Sequence, residues 1–162
     1  MNPILFEIER DGPGRLATMA APRGGDWLAD EMAGLRAKGV NVLVSALTDS
    51  ELVELSLTSE PELAAQAGLT FVSFPIPDRD APAAVAPVTE LVGDLEEHLA
   101  AGRFVVVHCR AGIGRSSLLA AAVMVREGLS PDDAWERISA ARGFPVPDTE
   151  VQAIWLAWFA GR

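Results

Sequence analysis

The chain has 162 residues, about half of them apolar (49%), which is enough for one domain with a real core and too little for two full domains. Its net charge of -10 and its pI near 4.6 argue against a surface that wraps nucleic acid, because such surfaces gather Lys and Arg to displace counterions. A single cysteine excludes an internal disulfide and favours a reducing compartment, so the expected location is cytoplasmic. No apolar run reaches spanning length, and the N-terminus reaches charge too early for a signal peptide, so no membrane span is expected.

In chain order, "ILFEIE", the breaker "DGPG" and "RLATM" predict two short strands around a turn at a sheet edge. "GDWLADEMAGLRAKG" predicts a helix capped at Asp26 and stopped by Gly39. "VNVLVSAL" predicts a strand, and "TDSELVELSL" a helical turn beginning near Thr48 or Asp49. "SEPELAAQAG" predicts a short helix with Pro61 in its first turn and Gly68 as terminator, followed by the strand "LTFVSFPI". Beyond the proline-rich "PIPDRDAPAAVAP", "VTELVGDLEEHLAAG" predicts a helix from about Val88 to Ala101.

"RFVVVHC" is uninterruptedly apolar, as a central parallel strand covered on both faces requires, and "RSSLLAAAVMVREG" predicts a buried helix against it. "SPDDAWERISAARG" carries Ser130 as cap, Pro131 at the first position and Gly143 at the exit, and "DTEVQAIWLAWFAGR" closes the chain as an amphipathic helix. Its tryptophans, like the other two, are expected in the core. The alternation gives an α/β class: one mostly parallel central sheet flanked by helices in three layers, residues 1–162 forming a single domain.

In such sheets ligands sit beyond the carboxyl ends of the strands, which is where Cys109 falls. The turn Arg110, Ala111, Gly112, Ile113, Gly114, Arg115 lets successive N–H groups converge on an anion, and the following helix adds its dipole. Arg115 offers a planar fork of donors for two phosphate oxygens. These groups favour the thiolate of Cys109, and a reactive anion facing a phosphate cradle implies attack on phosphorus. Ser116 is placed to hydrogen-bond the sulfur, His108 to order the loop through the backbone, and Arg110 either to tune substrate choice or to be solvated. A nucleotide P-loop would need a Lys that is absent, and Ser117 occupies the third glycine position of a dinucleotide fingerprint.

His108-Cys109-x5-Arg115-Ser116 resembles the signature of the cysteine-dependent protein tyrosine phosphatases. "PIPDRDAP" is similar to the acid loop of small dual-specificity phosphatases, a match that makes Asp78 the general acid with Asp80 as the alternative. Residues 26–159 further resemble the branch associated with cyclin-dependent kinases, through "TDSEL" and the closing "ARGFPVPDTEVQAIWL", in which Arg142 and Gln152 are expected to be structural. The resemblance implies a phosphatase-type fold and hydrolysis of phosphate monoesters, phosphotyrosine and phosphoserine or phosphothreonine in proteins, through a phosphocysteine intermediate, with no cofactor and no metal. The alternatives are a phosphoinositide or other small-molecule phosphatase and a non-catalytic phosphate-binding module.

Overall fold

A computed structural model describes residues 3–162. Strands β1 (Phe6–Glu7), β2 (Arg15–Met19), β3 (Val42–Ser45), β4 (Thr70–Ser73) and β5 (Phe104–His108) form one sheet in the order β1-β2-β5-β3-β4. Only β1 and β2 pair antiparallel, so the expected turn at the sheet edge is present and the rest of the sheet is parallel. The helices are α1 (Leu28–Ala37), α2 (Asp49–Glu54), α3 (Glu60–Gln66), α4 (Val85–Ala100), α5 (Arg115–Arg126), α6 (Pro131–Arg142) and α7 (Glu150–Ala160).

The strand "FVVVH" lies in the centre because its residues can be buried on both faces. Val105 and Val107 face one apolar cluster with Leu16, Val42 and Val44, where α4, α5, α6 and α7 pack. Phe104 and Val106 face a second with Ala17 and Leu43, covered by α1 and α3. Each such fully buried side chain contributes roughly 1.5–3 kcal/mol. Helix α5 is the middle of the first layer, buried from Arg115 to Met124, as its nearly unbroken apolar character requires.

Three local expectations are corrected. Asp26 does not cap α1: residues 25–27 form a 3-10 turn and α1 starts at Leu28 without a side-chain cap. Gly24 abuts the backbone at Leu55 and Ser56 so closely that the chain enters by contact rather than by a cap. Helix α4 begins at Val85, three residues early, because Pro87 is tolerated in a first turn, where its missing N–H has no intrahelical partner. The tryptophans are not uniformly core: Trp27 and Trp158 are about half exposed, and Trp27 lies under the Arg23 guanidinium.

Other ends follow their sequence signals. Ser130 accepts from Asp133 N, and Gly143 takes the left-handed φ of 71° that closes α6. Thr48 and Thr149 each form a capping box, with Glu51 and Gln152 respectively. Among the described residues no helix is long and apolar enough to cross a membrane.

Candidate active site

Strand β5 ends at His108, and the next six residues turn back into α5. Cys109 is 2% exposed at the floor of a cavity of about 160 Å³ bordered by Asp78, Arg79, Arg110, Ile113 and Arg115. The turn is held from outside through its carbonyls. Arg110 O accepts from Ala21 N at 3.0 Å, while Arg142 Nε donates to Gly112 O at 3.0 Å and Arg142 Nη2 to Ala111 O at 3.4 Å. In a trans peptide the C=O and the following N–H point oppositely, so the N–H groups of Ala111, Gly112 and Ile113 face away from these donors. Gly112 has φ 71°, and a Cβ there would lie 2.8 Å from Ala20 N, so both conformation and space require glycine.

Cys109 Sγ and Ser116 Oγ lie 3.2 Å apart in hydrogen-bond contact, within the reach the sequence assigned to Ser116. His108 is fully buried; its Nδ1 is 3.1 Å from the Cys109 carbonyl and its Nε2 2.6 Å from Glu60 Oε2. A carbonyl only accepts, so Nδ1 carries the proton in that bond. The buried Glu60 opens α3 and was not singled out in the sequence, because an acid in a first turn ordinarily serves the helix dipole.

Arg115 is 2% exposed, and here the structure revises the expected fork. Its Nη1 donates to Glu51 Oε1 at 2.6 Å and to Ile76 O at 2.8 Å; its Nη2 donates to Glu51 Oε2 at 2.9 Å and lies 3.1 Å from Asp78 Oδ1. One edge of the guanidinium is thus committed to a carboxylate of α2. The guanidinium's other edge has Nε outside these bonds and Nη2 shared with Asp78. The Glu51 carboxyl is held down at about 2, chiefly by its bond from Arg115, with burial opposing and Thr48 assisting. Burial works against the Arg115 charge but is outweighed by Glu51, Cys109 and Asp78, so its pKa is raised.

Asp78 and Asp80 are separated by the fold. The Asp78 side chain is 59% exposed and reaches the Arg115 guanidinium at the cavity. Asp80 Oδ1 instead accepts from Ala81 N at 2.8 Å, and the residue borders a different, apolar groove with Trp155 and Trp158. Arg110 pairs with Glu54 at 3.0 Å on the rim, and this partner raises its pKa. Gln152, fully buried, and Arg142 both bond to backbone at the site, in keeping with structural roles. Among the described residues, no three His, Cys, Asp or Glu side chains are grouped so as to hold a metal ion.

Comparison with known proteins gives a concordant result. Residues 17–129 match the family described as "Polymorphic toxin system, DSP-PTPase phosphatase". Cyclin-dependent kinase inhibitor 3 of Sus scrofa is 31% identical over 127 residues, 77% of this chain and 59% of that protein. Its counterpart from Rattus norvegicus is 28% identical over the same shares. The chain therefore spans 59% of the length of these curated relatives.

Among solved structures, a kinase associated phosphatase with serine in place of its catalytic site cysteine has the same fold. Its TM-score is 0.91 at 22% identity, over 99% of this chain and 96% of the other. Tk-PTP in its active form superposes with TM-score 0.74 at 26% identity, over 96% and 97%. With the signature turn, the buried cysteine and the parallel sheet behind them, these matches show that the chain belongs to the DSP-PTPase phosphatase family of cysteine-dependent phosphatases.

Proposed function

We propose that the chain hydrolyses phosphate monoesters through a phosphocysteine intermediate, without a metal, residues 1–162 acting as one catalytic domain. The observation that carries this is the convergence of Cys109, Arg115 and Asp78, from the turn after β5, the start of α5 and the loop after β4, on one cavity. The Cys109 thiolate attacks phosphorus in line, forming an S–P bond as the ester P–O bond breaks. Arg115 Nε and Nη2, with the N–H groups of the Arg110–Arg115 turn, take the equatorial oxygens. Their arrival at Nη2 displaces Asp78, which, freed from the guanidinium, takes up a proton from solvent and delivers it to the departing alcohol or phenol oxygen.

In the second half-reaction the Asp78 carboxylate accepts a proton from water as the water attacks phosphorus. The S–P bond breaks, and Ser116 Oγ, 3.2 Å away, donates to the returning thiolate. His108 holds the Cys109 carbonyl and so the start of the turn.

The substrate class we infer is phosphorylated protein. Relatives named as a cyclin-dependent kinase inhibitor and a kinase associated phosphatase support it, as does a cavity bordered by charged and aliphatic side chains without an aromatic slot selecting phosphotyrosine alone. A reducing, cytoplasmic site of action suits a nucleophile that must stay a thiol, and the family's description adds a polymorphic toxin system as the setting. Acid quench of the enzyme turning over an aryl phosphate, followed by peptide mass mapping, is the test. A phosphate adduct on the Cys109 peptide is expected; turnover with no adduct there, in wild type or in a variant slowed in hydrolysis, would overturn the mechanism.

A further inference from the structure

The acid loop is fastened to the start of α7 at two successive carbonyls. Thr149 Oγ1 donates to Arg79 O at 3.1 Å, and Gln152 Nε2 donates to Asp80 O at 3.1 Å. A third tie runs from Arg79 Nη1 to Asp148 Oδ2, also at 3.1 Å, although both side chains are partly exposed and this pair is the weakest of the three. The loop so fastened is strained. Arg79 has φ 65°, in the left-handed region that residues with a Cβ seldom occupy unless their surroundings impose it. It is also the residue directly after Asp78, so a relaxation of its backbone moves the acid.

The same segment touches the nucleophile's turn. A Cβ on Gly114 would lie 2.9 Å from Asp148 Cβ and 2.9 Å from both side-chain amide atoms of Gln152. Residues 148–152 therefore stand against the signature turn on one side and grip the acid loop on the other. Gln152 is fully buried, and its Oε1 accepts from Asp148 N and Thr149 N, so its Nε2 is directed at Asp80 O by a side chain fixed at both ends.

We propose that Thr149 and Gln152 are positioning residues for leaving-group protonation, setting the distance between Asp78 and Cys109 by clamping the strained acid loop to α7. The proposal rests on the phosphatase reading above. A clamp of this kind acts only where proton transfer matters: departure of an activated phenol needs little help from an acid, and departure of an alcohol needs much.

The experiment compares kcat/KM for 4-nitrophenyl phosphate and for an alkyl phosphate in wild type, Thr149→Val, Gln152→Met and Thr149→Ser. Each is also made with Asp78→Asn. Thr149→Val and Gln152→Met are expected to lose roughly tenfold or more on the alkyl ester and only about two- to threefold on the activated one, since general acid help is worth up to ~10⁴. Thr149→Ser, which keeps the hydroxyl, restores the ratio and shows that the loss is not one of folding. With Asp78→Asn in place the selective loss disappears, because no acid remains to be positioned.

Equal losses on both esters, or a selective loss that persists with Asp78→Asn, would overturn the clamp while leaving the phosphatase reading intact. If Thr149→Val does not fold, the Gln152→Met ratio decides alone. No Cys109-dependent turnover of either ester by folded wild type would overturn both readings.

Discussion

Arg115 and Glu51 form a bidentate ion pair inside the protein, Nη1 to Oε1 at 2.6 Å and Nη2 to Oε2 at 2.9 Å, with side-chain exposures of 2% and 9%. Glu51 is also the third residue of α2, where its Oε1 accepts from Thr48 N at 3.1 Å. One carboxylate thus caps a helix and fixes the plane of the Arg115 guanidinium, the group proposed above to receive phosphate.

Glu51→Gln is expected to cost about 3 kcal/mol at pH 7, the worth of holding a carboxyl from 4.5 down to about 2. Because the folded-state pKa is lowered, this stability is complete above the unfolded value near 4.5 and is lost as pH falls through about 2. Urea denaturation of wild type and variant should show curves that converge over that window. A gap that stays constant from pH 7 to pH 2 would disprove the ionic origin.

Arg115→Lys keeps a charge but loses both the planar pairing with Glu51 and the Nε donor. A loss in kcat/KM on the order of 10²–10³ is expected, with little or no thermal stabilisation by phosphate or vanadate. An effect under tenfold would sink the fork-like role.

Gly112→Ala meets a left-handed φ of 71° and places a Cβ 2.8 Å from Ala20 N and 2.9 Å from Met19 C, both rigid backbone beside β2. The expected cost is roughly 1–3 kcal/mol in stability, with a larger fractional loss of turnover as the turn's N–H groups are displaced. Chemical denaturation beside steady-state rates separates the two effects; a variant with wild-type rates would show that the turn adapts.

Asp78→Asn should depress turnover of alkyl and weakly activated aryl esters far more than of 4-nitrophenyl phosphate, by a factor within ~10²–10⁴. Asp80→Asn should not, since its side chain serves Ala81 N and borders the apolar groove. The reverse pattern would reassign the acid.

Much of this architecture was legible in the chain because local and tertiary signals agree. "FVVVH" reads as a central strand since only double-sided burial suits it, and Ser130, Pro131 and Gly143 mark α6 by backbone chemistry that needs no partner. The turn from Cys109 to Arg115 was legible because wrapping one anion with backbone fixes spacing within a few residues. What escaped were long-range pairings. Nothing local shows that Glu51, although within the "TDSEL" stretch of the resemblance, pairs with Arg115 64 positions away, or that Glu60 pairs with His108 48 positions away. Asp26 misled for the opposite reason, being a good cap where close contact at Gly24 imposes a 3-10 entry instead.

The most direct test is release of 4-nitrophenol from its phosphate by wild type and Cys109→Ser, with chelator present, from pH 5 to 8. Turnover by wild type that survives chelation and vanishes in the serine variant, while that folded variant still binds phosphate or vanadate, is the expected result. Equal rates in the two proteins, or activity abolished by the chelator, would contradict a cysteine-dependent, metal-independent phosphatase.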